Sequence, residues 1–234
     1  MKSGRLYGVG LGPGDPDLMT LKAARLIGAA GVVAYPALEG AASFARSIAA
    51  KLIAPGAREI AVEVPMVADR APAQAAYDNG AAAIAAELEA GRDVVVLCEG
   101  DPFFYGSFMY LFARLSDRFE TEVVPGVTSV SAAAARAGLP LVARNEPLAV
   151  LPATLPEADL GARIGAAQSI AIMKLGRHLG KARRVLGRLG LAERAVYVER
   201  VGLAGELVCA LAEAPETAPY FSIILVRKGD DPWL

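Results

Sequence analysis

Three short segments carry the residue types that could do chemistry. The first is Gly8-Val9-Gly10-Leu11-Gly12-Pro13-Gly14-Asp15-Pro16. Glycine admits positive φ and lets the backbone come close to a ligand. Two familiar phosphate cradles do not fit. A dinucleotide fingerprint, G-x-G-x-x-G, fails at Pro13 or at Asp15, depending on whether it starts at Gly8 or Gly10, and no Gly-Lys-Ser/Thr ending follows. The second segment, Cys98-Glu99-Gly100-Asp101-Pro102-Phe103-Phe104-Tyr105-Gly106-Ser107, sets acidic and aromatic groups directly after a Val/Leu run. The third, Pro125-Gly126-Val127-Thr128-Ser129, opens into a small-residue stretch. A hydroxyl and unpaired N–H groups at a helix start can serve a polar ligand. Each segment also has a plainer reading: a strand-exit turn, an Asp-Pro turn that caps the next helix, and Thr128 as an N-cap.

The remaining inventory narrows the chemistry. The chain of 234 residues has two cysteines, Cys98 and Cys209, and one histidine, His178. Cys and His together cannot supply the three or four clustered ligands of a zinc site, so no metal is expected. The same scarcity disfavours a Ser-His-Asp hydrolase. A formal charge of −1 disfavours a broad basic surface for nucleic acid. No run approaches twenty uncharged apolar residues and the start lacks a signal-peptide core, so no membrane span is expected. Two scattered cysteines fit a reducing cytoplasm. Lys174, Arg177, Lys181, Arg183, Arg184 and Arg188 fall in one stretch without Asp or Glu. Guanidinium groups pair with carboxylates bidentately, which suits an acidic ligand; a solvated helix face is the alternative for Lys181–Arg188. Lys174 and Arg177 precede that helix and are the expected substrate contacts, with His178 as a loop residue beside them.

These groups need elements to position them. Apolar runs at Leu6–Val9, Val32–Ala34, Glu59–Val64, Asp93–Cys98 and Glu122–Val124 read as strands. Between them, Leu21–Ala30 (with Thr20 as N-cap), Ser43–Leu52, Ala73–Ala90 and Tyr105–Leu115 read as helices. Alternating strand and helix implies a parallel or mixed sheet with ligand-binding loops beyond the strands' carboxyl ends. The second half gives a helix at Ser129–Arg136 and strands at Leu148–Leu151, Ser169–Met173, Ala195–Val198, Leu207–Ala210 and Ser222–Val226. Its other clear helix is Lys181–Leu189, and a hairpin around Leu203–Glu206 suggests antiparallel pairing. The fold class is α/β with two α/β domains, 1–119 and 120–234.

The ordered set G-x-G-P-G-D-x-x-x-x-T, G-D-P-x-x-Y-G and P-G-V-T-S resembles the tetrapyrrole (corrin/porphyrin) methylase family, from Gly8 to about Arg227. The resemblance implies two α/β domains with S-adenosylmethionine in the interdomain cleft and S-adenosylhomocysteine as product. It places Pro13, Glu99, Gly100, Asp101, Phe104, Thr128, Ser129, Met173 and Val201 around that cofactor. A tetrapyrrole polycarboxylate would be the small-molecule substrate, and a homodimer the assembly. Pro36 stands where uroporphyrinogen methyltransferases carry Asp. Tyr35-Pro36, Met173–Arg177 and Val198–Gly202 look like the branch that acts at carbon 20, with the substrate's metallation left open. The chain identifies no base for the departing proton; Glu99, Asp101 and Tyr105 qualify by location only. Methylases of this fold that act on RNA or diphthine precursors, and a non-enzymatic ligand-binding module, are the rival readings.

Overall fold

The computed structural model describes residues 2–65 and 70–229, which fall into two compact units, residues 1–128 and 129–234. The first unit is built on a five-stranded sheet of β1 (Leu6–Gly10), β2 (Val32–Ala37), β3 (Arg58–Glu63), β4 (Val94–Cys98) and β5 (Thr121–Val124). All its pairings are parallel, in the order β3-β2-β4-β1-β5. A parallel sheet covered on both faces needs apolar residues on both. β4 meets that demand: Val94, Val96 and Cys98 join one core, while Val95 and Leu97 join the other. Four helices connect the strands: α1 (Leu21–Ala29), α2 (Phe44–Ala49), α3 (Arg70–Glu89) and α4 (Phe108–Leu115). Thr20 caps α1 as expected, its Oγ1 accepting from the Ala23 N–H at 3.2 Å. Ser43 caps α2 in the same way, and its hydroxyl also donates to the Pro36 carbonyl.

The first unit ends after Thr128 rather than at residue 119, because β5 pairs along β1 and so belongs to the first sheet. A second difference lies at α4. The helix begins at Phe108, not Tyr105, since Tyr105 adopts a left-handed φ of 58° that no α-helix tolerates.

The second unit contains α5 (Ser129–Arg136), α6 (Glu157–Ala166) and α7 (Leu179–Arg188), with β6 (Leu148–Pro152), β7 (Ser169–Met173), β8 (Ala195–Glu199), β9 (Leu207–Ala210) and β10 (Ser222–Arg227). The sheet order is β6-β7-β10-β8-β9; β6 and β7 run parallel and the other pairs antiparallel. β8 and β9 form the expected hairpin. Leu160 and Ile164 of α6 pack with Ala182, Val185 and Leu186 of α7 against Ile170, Ile172, Tyr197 and Ile224 of the sheet. Helix α6 is absent from the sequence expectation, because Gly161 and Gly165 lower its intrinsic helix preference and mask a short apolar repeat.

Candidate active site

In the first unit the sheet order brings three loops together. β4, β1 and β5 are adjacent and parallel, so the loops that leave their carboxyl ends emerge side by side. These are the three segments singled out by residue type. The β1 and β4 exits are stitched by backbone: the Leu11 N–H donates to the Cys98 carbonyl at 2.9 Å, and Gly12 and Gly100 exchange hydrogen bonds of 3.2 and 2.8 Å. The β5 exit closes on both. A Cβ at Gly10 would lie 2.6 Å from the Gly126 nitrogen and 2.7 Å from the Gly100 oxygen, and one at Gly126 would overlap the Gly100 oxygen. Glycine is required at Gly10 and Gly126 by this close approach of three backbones, not by unusual torsions. Neither position was expected to matter on its own; a Pro-Gly pair opening a helix was the available signal.

Asp101 fastens the same junction. Its Oδ1 accepts from the Phe103 N–H at 2.9 Å, and its Oδ2 accepts from the Gly126 N–H at 3.0 Å. Both oxygens are therefore engaged by backbone donors, which ties the β4 exit to the β5 exit. The neighbouring Glu99 differs. Burial pushes its carboxyl above the ordinary range, while its own N–H and that of Ala45, in the first turn of α2, pull the other way. Cys98, just before it, is fully buried, and desolvation pushes the thiol up to about 11, so it is no nucleophile at neutral pH. Nothing lies within 4 Å of a Cβ built on Gly100, where φ is 65°, so the chain leaves open space beside that residue. Pro13 is buried, Phe104 half-buried and Tyr105 exposed, the two rings meeting edge-on with centroids 5.4 Å apart. Thr128, half-buried, ends this unit.

The second unit holds the other expected residues. Ser129 opens α5. β7 and β8 are both antiparallel to β10, so they leave the sheet at one edge. That edge carries Met173 at the end of β7 and Lys174 after it, and Arg200 and Val201 after β8. Lys174 and Arg200 both take left-handed backbone, with φ of 57° and 51°. Arg177 is exposed in the turn that follows, and His178 is half-buried, its imidazole pushed below its ordinary range by burial and by the Lys181 and Arg177 cations.

The rest of the basic stretch is committed to its own unit. Lys181 Nζ donates to the Leu155 carbonyl at 2.6 Å, and Arg183 to the carbonyls of Ala214 and Pro215. Arg184 and Arg188 share Glu157 at 3.0 and 2.5 Å. The solvated-face reading describes Arg184 and Arg188, which are exposed, whereas Lys181 and Arg183 are half-buried on backbone carbonyls; Glu157, on a helix the sequence did not reveal, is the partner that local charge counting could not find. Among the described residues, no group of three His, Cys, Asp or Glu could hold a metal ion, and no helix is long and apolar enough to cross a membrane.

Known proteins match along nearly the whole chain. A precorrin-2 C(20)-methyltransferase of Sinorhizobium sp. is 45% identical over 97% of each chain. A cobalt-precorrin-2 C(20)-methyltransferase of Salmonella typhimurium is 36% identical over 97% of each. Among solved structures, the uroporphyrin-III C-methyltransferase of Thermus thermophilus, in complex with S-adenosylhomocysteine, superposes with a TM-score of 0.68 at 28% identity, covering 95% of this chain and 97% of that one. The family model of the tetrapyrrole (corrin/porphyrin) methylases matches residues 5–215. The chain belongs to the tetrapyrrole (corrin/porphyrin) methylases, whose three signature segments are the loops that meet beyond β1, β4 and β5.

Proposed function

We propose that this protein transfers a methyl group from S-adenosylmethionine to carbon 20 of precorrin-2 in cobalamin biosynthesis. The observation that carries this reading is the 45% identity to a precorrin-2 C(20)-methyltransferase, sustained over 97% of both chains. We put metal-free precorrin-2 ahead of its cobalt form because the identity to the cobalt-precorrin-2 C(20)-methyltransferase is lower, at 36%.

The site residues fit the cofactor. Open space beside Gly100, a tight frame of backbone groups around it, and a carboxyl at Glu99 suit a ligand with an ammonium, a ribose and a carboxylate. In this reading Pro13, Glu99, Gly100, Asp101, Phe104, Thr128, Ser129, Met173 and Val201 hold it, and Lys174 and Arg177 take substrate carboxylates. The bound cofactor supplies an electrophilic methyl on a sulfonium. The protein supplies placement, which can contribute much of the rate enhancement, and exclusion of water. Asp101 acts by locking the β4 and β5 exits in register. Burial raises the basicity of the Glu99 carboxyl, which makes it the candidate proton acceptor of this loop. A homodimer, carried over from the family, belongs to the same reading, as does a cytoplasmic location, which the two scattered cysteines fit.

The test is incubation of the protein with S-adenosylmethionine and either precorrin-2 or cobalt-precorrin-2, followed by mass and NMR analysis. A gain of one methyl, located at carbon 20 and faster with the metal-free substrate, is expected. No gain with either substrate would sink the assignment.

A further inference from the structure

At the edge of the second sheet where β7 and β8 end, a half-exposed cation is held by a buried acid–phenol pair. Tyr197 is fully buried and its hydroxyl donates to Glu199 Oε2 at 2.6 Å. Glu199 is itself only 7% exposed. Its other oxygen, Oε1, accepts from Arg200 Nη1 at 3.1 Å. Neighbours in an extended strand point to opposite faces. The left-handed backbone at Arg200 turns its side chain back onto Glu199, and the Arg200 N–H holds that turn by donating to the Phe221 carbonyl at 2.8 Å. Such a conformation is unfavourable in a non-glycine residue and persists where the surroundings over-determine it.

The guanidinium is nonetheless 47% exposed. One of its nitrogens is used on Glu199, and the fork has further donors for a second carboxylate. Two more features share this edge. The register sets Ser222 of β10 opposite Glu199, and Ile224 opposite Ile172, so Arg200 and Lys174 stand on either side of the start of β10. Two strand spacings put their backbones roughly 10 Å apart. Between them the chain presents Tyr220 and Phe221, 55% and 43% exposed, with rings 5.2 Å apart. Cations flanking exposed aromatic rings suit a broad ring system with carboxylates on its rim.

We propose that Arg200, oriented by Glu199 and Tyr197, binds a peripheral carboxylate of the tetrapyrrole, with Tyr220 and Phe221 under the macrocycle and Lys174 on a second carboxylate. This rests on the tetrapyrrole reading above. The test uses uroporphyrin, a stable tetrapyrrole polyacid, titrated into the full chain by fluorescence, beside calorimetry with S-adenosylhomocysteine. Arg200→Gly keeps a residue that tolerates the left-handed backbone, and Arg200→Lys keeps the charge. Loss of one charge-assisted hydrogen-bonded contact predicts that Arg200→Gly weakens uroporphyrin about tenfold or more. Arg200→Lys should recover part of that loss, and S-adenosylhomocysteine affinity should stay within about twofold in both variants. If the wild type binds uroporphyrin and Arg200→Gly binds it equally well, the Arg200 assignment falls and the tetrapyrrole reading stands. If affinity for S-adenosylhomocysteine falls in parallel, Arg200 is a structural residue and the assignment likewise falls. No uroporphyrin binding by the wild type would overturn the Arg200 assignment, whereas the tetrapyrrole reading falls only with the methylation test above.

Discussion

Glu99 and Asp101 stand two positions apart and do different work. Asp101 joins two loops through a backbone donor on each oxygen; the Glu99 carboxyl is pushed up by burial, against the pull of its own N–H and that of Ala45. Because the folded Glu99 carboxyl keeps its proton to higher pH than the unfolded one, the folded state binds more protons between the two pKa values. Stability therefore falls as pH rises through that window. Glu99→Gln removes the ionisation. Its expected outcome is a variant more stable than wild type at neutral pH, with a flatter pH dependence above the ordinary carboxylate range, measured by denaturant midpoints at several pH values. The same variant should bind S-adenosylhomocysteine more weakly, since a carboxylate that serves a ligand is retained against stability. A stability gain without a loss of affinity would remove Glu99 from the cofactor site. Of this contrast the sequence disclosed only the location: both acids follow the most apolar strand. Which acid is clamped depends on the Gly126 N–H, 25 residues away, and no local pattern encodes that contact.

Among the elements, those with clean periodicity were legible and those built around exceptions were not. β7 and β9 coincide with their expected spans, and Thr20 caps α1 as read, because short continuous apolar runs and a capping hydroxyl act locally. α4 was read too early, since Tyr105 looks helical by composition but is held left-handed. α6 was missed through its glycines, and with it the partner of Arg184 and Arg188. That helix yields a prediction. Gly165 has helical torsions, is exposed, and would place a Cβ in open space. Gly165→Ala should stabilise the protein by about 0.5–1 kcal/mol, through the smaller backbone entropy of the unfolded chain, without changing the carbonyl that accepts from Lys228 Nζ. Chemical denaturation with an unchanged m-value is the check. A loss of stability would mean that α6 is not continuous at that residue.

At the scale of the whole molecule, the strand order that assembles the active-site loops also dictates when they can assemble. β1, the first strand made, finds its neighbours only in β4 and β5, at residues 94–98 and 121–124. During synthesis at roughly 5–20 residues per second, that apolar strand waits several seconds for either partner. Pairings so distant along the chain are slow to form, because loop closure precedes any gain from contact. Nascent chains arrested before β4 leaves the ribosome should remain open to protease across β1, and chains arrested after β5 has emerged should be protected there. The crossing of early and late strands that places Gly10, Gly100 and Gly126 against one another thus makes the newborn polypeptide a natural client for chaperones until most of its first unit has been translated.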